Sequence, residues 1–527
     1  MSSNEAEDNT GGESGDISPN TNKTSKVSRR KFLGAGAAAG LALAGAGYYS
    51  ITQGGQESGV VPGSGIASPS NQRHTIIATP KNPQNYLSED YLHFIRFLES
   101  ISDQVAGKTI RVAVEAEVAP RALWRNKIDF ESSTGLELLL EFDIYRNNLA
   151  KSLLAVSTQS PTFDVLNIDV SQVGRFESHL IPIEELMERY PELTYPNLKL
   201  DDFVTPVWSL TSKYPPDLIY PPWEKSFNGT PVQMPQETPL MIRFYRKDLY
   251  SEEGRELAST WDEYLDDLEH FHAPSRARWG TVLMAARFPS IVMEWHNWLY
   301  SFGGKLWDIS SDGTINSDVN SDVAVEALEH YVAVNRYAEP NSSFYGWGPA
   351  AEALAHGRAA MGINLTEFAS LMDTPGESFI VRQMGFAKNP RGEAGSSHHY
   401  TGAGLGVPKY SKNPEAAWLF IQWATVESMQ VHTAIDPRAL AVPTRNAVFE
   451  HPKVRDVISE GTIRHFDPVK DAIDKGEVNV KPGFPNWESI EGTFMNELHK
   501  AVLKEISPKQ ALDAVRKKSD ELGPFSF

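Results

Sequence analysis

Short strands and helices alternate along this chain from about residue 109, and the alternation leaves few fold classes open. A strand is predicted over Thr109 to Val114, a helix over Pro120 to Glu131 and a second strand over Leu136 to Phe142. A helix at 146–156 and a strand at 163–168 continue the pattern. Such alternation is typical of βαβ units, so the sequence predicts an α/β protein with a parallel sheet.

Beyond residue 240 the chain becomes mostly helical. The predicted elements are a strand at 240–245, helices at 260–271, 290–303, 320–337 and 349–357, strands at 359–363 and 380–387, and helices at 413–424, 486–505 and 508–521. Asn413 and Pro414 have the pattern of an N-cap followed by the first residue of a helix.

The N-terminal residues have the pattern of an export signal. Arg29 and Arg30 precede an uncharged Gly/Ala segment, which is the form of a twin-arginine leader, and Ala44 and Ala46 suit a cleavage site. We therefore interpret 1–51 as a disordered N-terminus plus signal. Cleavage of the leader and its retention as a membrane anchor both remain open. Residues 52–104 are interpreted as a linker and an extra helix capped by Ser88.

Composition excludes several classes of site. The chain has no cysteine, which excludes disulfides, thiolate metal sites and a lipid-anchored cysteine. Its formal net charge of −19 argues against a nucleic-acid partner. Histidines occur close together at 270 and 272 and at 398 and 399, but neither pair converges easily on a metal ion. We expect no metal and no cofactor.

Six short motifs together resemble the family 1 extracellular solute-binding proteins, the sugar-type binding proteins of ABC importers. They lie at 228–235, 244–249, 260–263, 356–363, 407–417 and 507–512, in the order in which the family has them. The resemblance extends over roughly residues 108–522. Three features depart from the family pattern: the lack of a lipid-anchored cysteine, the helix at 88–104, and the Pro-rich tract at 213–227, which is interpreted as an insertion.

The resemblance implies a two-lobed periplasmic-binding-protein-like fold of the class II type, with discontinuous lobes joined by a hinge. It assigns 105–240 and 370–412 to lobe I, and 241–369 and 413–527 to lobe II. A small-molecule solute, an oligosaccharide or polyol, would bind in the interlobe cleft and pass to ABC permease subunits. The leader adds the Tat export machinery as a partner and an extracellular, cell-surface or periplasmic location.

Sugars favour flat aromatic rings together with carboxylates and amides that bind hydroxyl groups. The candidate ligand-binding residues chosen on this basis, many of them at strand ends, are Glu115, Glu117, Asp169, Gln172, Gln236, Glu237, Trp295, Trp347, Tyr400, Arg445 and Trp487. Core packing is the alternative for each tryptophan, a solvated loop for Glu115 and Glu117, and a salt bridge for Arg445. Gly346 beside Trp347 would let a backbone approach closely.

Two other functions remain open at this point. An exported glycoside-active enzyme could use Glu115 and Glu117 as acid and nucleophile, although two acids on one strand approach a substrate from one side. A binding protein that serves a sensor in place of a transporter would have the same sequence features.

Overall fold

The computed structural model describes residues 88–214, 229–309, 315–482 and 486–523. The predicted leader with Arg29 and Arg30, the linker up to residue 87 and most of the predicted insertion at 213–227 lie outside these ranges. Within them, no helix is both long and apolar enough to cross a membrane.

The strands confirm the predicted alternation. They are β1 (Thr109–Glu115), β2 (Glu137–Asp143), β3 (Val165–Asp169), β4 (Met234–Pro235), β5 (Met241–Arg246), β6 (Trp279–Val282), β7 (Trp307–Ile309), β8 (Ile315–Ser317), β9 (Ala359–Leu365), β10 (Met384–Ala387), β11 (His398–Tyr400), β12 (Ala403–Gly406) and β13 (Val478–Val480).

The helices surround these strands, and short 3-10 turns connect several of them. They are α1 (Glu89–Ile101), α2 (Val118–Thr134), α3 (Tyr145–Ser157), α4 (Val173–Phe176), α5 (Ile183–Arg189), α6 (Thr205–Ser212), α7 (Lys247–Glu253), α8 (Trp261–Phe271), α9 (Pro289–Ser301), α10 (Asp322–Val334), α11 (Trp347–Ala355), α12 (Pro414–Thr425), α13 (Glu427–Ile435), α14 (Asn446–Phe449), α15 (Pro452–Ser459), α16 (Phe466–Asp474), α17 (Trp487–Val502) and α18 (Pro508–Leu522).

Local sequence signals account for several helix starts. Ser88 accepts a hydrogen bond from the backbone N–H of Tyr91 at the start of α1, as expected. Thr260 and Glu263 form a capping box at the start of α8. Asn413 is the N-cap of α12 and Pro414 its first residue, but the Asn413 side chain makes no capping hydrogen bond.

Two main sheets organise the described chain. The first has the order β2-β1-β3-β12-β4, with β1 parallel to β2 and β3, and β12 antiparallel to β3 and β4. The second has the order β10-β5-β9-β6, with β6 parallel to β9, and β5 antiparallel to β9 and β10. The carboxyl ends of β1 and β3 lie at one edge of the first sheet, where α/β proteins commonly bind ligands.

Each sheet has its own hydrophobic core, and we call a sheet with the elements packed in its core a lobe. In the first lobe, α1 and α12 contribute to the core, with Phe94 and Trp418 fully buried. In the second lobe, α8, α9 and α17 contribute to the core, with Trp298 and Phe494 fully buried. The chain leaves the first sheet after Pro235 and enters the second at 241.

These cores correct the predicted lobe limits at two places. The sequence assigned 370–412 to the first lobe, but Met384–Ala387 pairs with β5 in the second sheet. It assigned everything after 413 to the second lobe, but α12 packs in the first core. Apolar periodicity marks a helix or strand as buried without specifying which core buries it, so the sequence could not distinguish these cases.

Candidate functional site

Five carboxyl groups meet where the two lobes adjoin. Glu115 ends β1, Glu117 occupies the N-cap position of α2, and Asp169 ends β3. Glu237 lies on the segment that crosses between the sheets, and Glu367 lies in the turn that follows β9. Carboxylate oxygens of Glu117, Glu237 and Glu367 lie within 4.8 Å of one another. Both lobes and the crossing segment therefore contribute to one acidic cluster, which we call the carboxyl cluster.

Burial raises the pKa of most groups in this cluster. Desolvation, followed by repulsion from neighbouring carboxylates, raises the pKa values of Glu115, Glu237 and Glu367 well above the ordinary glutamate value. Burial also raises the pKa of Glu117, against the opposing effect of hydrogen bonds from Glu237 and Glu115. The protonated form of these groups is therefore favoured relative to that of an ordinary glutamate. A protonated carboxyl group donates a hydrogen bond as well as accepting one.

A buried ion pair lies beside the cluster. The Lys481 Nζ is 3.2 Å from the Glu491 Oε1, and both side chains are almost completely buried. The same Nζ lies 5.9 Å from the centre of the Tyr145 ring, so a second-lobe cation faces an aromatic ring of the first lobe. Burial opposes the charge of Lys481, but Glu491 and Tyr145 outweigh it and raise the pKa of Lys481 overall.

A small cavity adjoins the carboxyl cluster in the first lobe. Its lining includes Glu115, Tyr145, Asn148 and Asp169, and its volume of about 10 Å³ suits one water molecule. The Asn148 Nδ2 donates to the Asn167 carbonyl, while the Asn148 Oδ1 is buried with no hydrogen-bond partner among the described residues. An acceptor is therefore left for a donor that enters this cavity.

Trp347 forms an aromatic wall between the lobes. It is half-buried at the start of α11, with ring centroids 4.7 Å from Phe288 and 6.4 Å from Tyr145. A Cβ on Gly346 would lie 3.1 Å from the Phe288 ring, so glycine at this position lets Phe288 pack closely. The Trp347 Nε1 has no hydrogen-bond partner within the described part of the chain. Of the three candidate tryptophans, Trp347 alone has an exposed part that a solute could contact.

Trp295 and Trp487 lie in the second core, not in a cleft, which corrects two of the candidates. Trp295 is completely buried on α9 and packs 5.6 Å from Phe494. Trp487, at the start of α17, is 1% exposed and packs 5.9 Å from the same ring. Their faces are occupied by side chains of the core, the alternative that the sequence left open.

Arg445 and Tyr400 are also structural. The completely buried Arg445 guanidinium donates to the carbonyl oxygens of Thr425, Lys199 and Leu198 over 2.7, 2.8 and 3.0 Å. The Tyr400 hydroxyl is 2.5 Å from the Thr211 Oγ1, in the core. The polar groups of both side chains are therefore engaged within the protein.

The two candidate glutamines lie near the carboxyl cluster. The Gln172 Nε2 lies 3.4 Å from the Tyr145 hydroxyl, and Gln172 lines the small cavity. The Gln236 Oε1 accepts a hydrogen bond from Asn167, while the Gln236 Nε2 is buried without a partner among the described residues.

Sequence reasoning missed Glu367, Lys481 and Asn148. Glu367 follows a predicted strand, so the strand-end argument that selected Glu115 would also have selected it. Lys481 follows β13, a strand of three residues that the sequence does not reveal. Within the described ranges, the oxygens of Glu117, Glu237 and Glu367 are close enough together to hold a cation.

Comparison with known proteins places the chain in a family. The model of the bacterial extracellular solute-binding protein family matches residues 143–431, more than half of the chain. The chain belongs to this family. The mannitol-binding protein of Pseudomonas aeruginosa is 24% identical over 298 residues, which are 55% of this chain and 62% of that protein. The chain therefore spans less than two thirds of the length of that relative.

Solved structures of binding proteins share the fold. A solute-binding protein from Agrobacterium radiobacter K84, in complex with ribitol, has a TM-score of 0.68 and 20% identity, with 80% of this chain and 100% of that chain covered. Maltose-bound MalE3 of T. maritima has a TM-score of 0.67 and 21% identity, with 79% and 100% covered. The predicted two-lobed periplasmic-binding-protein-like fold is confirmed.

Proposed function

We propose that this protein captures a neutral polyol or small carbohydrate between its lobes and delivers it to an ABC importer. The observation that carries the proposal is the carboxyl cluster, to which both lobes contribute. A solute that contacts Glu115 and Glu117 of the first lobe and Glu367 of the second has more partners when the lobes are together. Solute binding then shifts the population towards the closed state, which a permease can distinguish from the open state.

The protonation of the cluster suits a hydroxyl-rich solute. Each hydroxyl group both donates and accepts a hydrogen bond. Ionised carboxylates only accept, whereas protonated carboxyls also donate. Because burial raises the pKa values of Glu115, Glu237 and Glu367, the cluster offers both roles. Trp347 would cover the apolar C–H face of the solute. The mannitol-binding relative and the ribitol-bound structure are consistent with this solute class.

The hydrolase alternative fits the geometry less well. Retaining glycosidases place an acid and a nucleophile about 5–5.5 Å apart on opposite sides of the scissile bond. Here Glu115 and Glu237 both hydrogen-bond to Glu117, so these groups form one patch. We therefore propose that the protein binds its solute without transforming it. The same solute-bound protein could serve a sensor in place of a permease, and this is the second candidate for its partner.

Isothermal titration with mannitol, ribitol and maltose tests the proposal, with the recovered solute analysed for products. We expect saturable binding of at least one solute and its recovery unchanged. Glu367→Gln should weaken solute binding. Glu192→Gln, which removes an exposed carboxylate of the first lobe outside the carboxyl cluster, should leave solute binding unchanged. Product formation, or equal effects of the two variants, would contradict the proposal.

We also propose that the Tat machinery exports the protein, after which residues 32–51 are either removed by cleavage or kept as a membrane tether. Replacement of Arg29 and Arg30 by lysine should retain the protein inside the cell. Mass spectrometry of the exported protein should then show whether the N-terminus begins before residue 32 or after residue 46. Export of the double-lysine variant at the normal level would contradict the twin-arginine interpretation.

A further inference from the structure

A second cavity, of about 870 Å³, lies in the second lobe. None of the five residues of the carboxyl cluster lines it. Its walls are residues 257–259 before α8, residues 387–396 after β10, and residues 467–477 around α16. Cavities of roughly 300–1,000 Å³ are of the size that holds small organic ligands.

Arg243 of β5 lines this cavity with an unsatisfied charge. The residue is only 4% exposed, and its Nε and Nη1 have no hydrogen-bond partner among the described residues. The charge of Asp267 acts on Arg243, but the Asp267 carboxylate already accepts hydrogen bonds from Arg255, from the Tyr250 hydroxyl and from the Ala258 N–H. In the described structure, Arg243 therefore has no acidic side chain of its own.

The acidic residues of the cavity are already paired. Asp467 lies 2.8 Å from Arg455, Asp471 lies 2.6 Å from Lys388, and Glu477 lies 2.9 Å from the same lysine. Lys475 also pairs with Asp471, over 2.9 Å.

Arg391 is the other arginine of the lining, whereas Lys388 and Lys475 of the lining are held in the ion pairs just described. It is exposed and forms no ion pair with any residue that the structure describes. Two arginines, one buried and one exposed, thus line the cavity, and neither forms an ion pair with a described residue.

A buried charge is unfavourable unless an opposite charge accompanies it. The planar guanidinium fork matches the two oxygens of a carboxylate or phosphate. We propose that this cavity binds an oxyanionic small molecule, whose carboxylate or phosphate group pairs with Arg243 and lies near Arg391. This site is separate from the carboxyl cluster, and its ligand is an anion, whereas the solute proposed for the carboxyl cluster is neutral.

Thermal unfolding in anion series tests this site. The full chain is unfolded in sodium chloride, in inorganic phosphate and in citrate, at matched ionic strength and pH. A ligand that binds only the native state raises the melting temperature progressively with its concentration. We expect a rise for wild type in phosphate, citrate or both. Phosphate alone would indicate a phosphate group, and citrate alone would indicate a carboxylate. No rise in either anion, relative to chloride, would overturn the proposal.

Variants separate a specific site from the general stabilisation that phosphate and citrate exert by exclusion from the surface. Arg243→Met should lose the anion-dependent rise, and in chloride it should melt no lower than wild type, because it removes an unpaired buried charge. Arg391→Gln should reduce the rise, whereas Arg276→Gln, an exposed arginine elsewhere in the second lobe, should not. An equal rise in all four proteins would overturn the proposal. If Arg243→Met does not fold, wild type and Arg391→Gln are compared by titration calorimetry with phosphate and citrate. Equal binding heats for the two proteins, or no binding heat for either, would overturn the proposal.

Discussion

Removal of the Trp347 ring should weaken solute binding much more than it weakens the fold. The ring is half-buried, and its remaining face is the part that a solute would cover. Contact of a ring with the apolar face of a solute contributes about 0.5–1.5 kcal/mol beyond its buried area. With about 40 Å² of newly buried area at roughly 25 cal/mol per Å², the total is about 1.5–2.5 kcal/mol. Trp347→Ala should therefore weaken binding at least about tenfold.

The cost of the same change to the fold should be small. A fully buried large aromatic costs about 3–5 kcal/mol when it is truncated to alanine, but Trp347 is only partly buried. Its backbone carbonyl, which accepts a hydrogen bond from the Asn364 Nδ2 over 3.2 Å, is retained in the variant. In a protein of this size we therefore expect the melting temperature to fall by only about a few degrees.

Isothermal titration gives the affinity, and differential scanning calorimetry gives the melting temperature. Trp208→Ala is the matched control, because Trp208 is also half-buried but stacks on Phe203 in the first lobe, 5.0 Å between ring centroids. It should lower the melting temperature by a similar amount and leave the affinity unchanged. Unchanged affinity in Trp347→Ala, or a collapse of its fold, would refute the assignment of this ring to the solute.

Three further predictions concern buried ionisable groups. Burial raises the pKa of Glu294 to about 8. The stability that protonated Glu294 contributes is therefore fully present below the unfolded-state pKa of about 4.3 and is lost as pH rises through about 8. Glu294→Gln should make the free energy of urea unfolding less dependent on pH between 5 and 8.5, and an unchanged pH dependence would contradict this. Lys481→Met leaves Glu491 buried without its partner and should cost about 3–5 kcal/mol of unfolding free energy at high pH, whereas adding Glu491→Gln should restore much of it; a double variant as unstable as the single one would refute the pairing. Arg445→Met removes three hydrogen bonds to backbone carbonyls and should lower the melting temperature by several degrees without changing solute affinity. A large loss of affinity would indicate that Arg445 contacts the solute.

Much of the fold could be predicted because its signals are local. The first three strands and the helices between them repeat an apolar pattern that the structure reproduces, and Ser88 caps α1 as its position suggests. Burial of α12 in the first core was not predictable, because a helix as apolar as Pro414–Thr425 would fit either core. Some of its partners are more than 200 residues away along the chain: the Trp418 Nε1 of α12 donates a hydrogen bond to the Thr194 Oγ1.

The site was predictable where it depends on strand ends and unpredictable where it depends on packing. Glu115, Glu117 and Asp169 were found because parallel strands bring their carboxyl ends to one edge. Trp295 and Trp487 were chosen for their ring chemistry, yet both are buried against Phe494, and sequence alone does not separate a core ring from a binding ring. Lys481 was missed because the strand before it has only three residues, too few to show an apolar alternation in the sequence.

Titration of the purified exported protein with a neutral polyol, followed by analysis of the recovered solute, tests the central claim most directly. The carboxyl cluster and Trp347 predict saturable binding of at least one polyol or small sugar. The heat should come from binding alone and stop at saturation, and the solute should be recovered intact. The absence of binding across the whole panel, or recovery of the solute as a cleaved or altered product, would contradict the claim that this protein binds a solute between its lobes without transforming it.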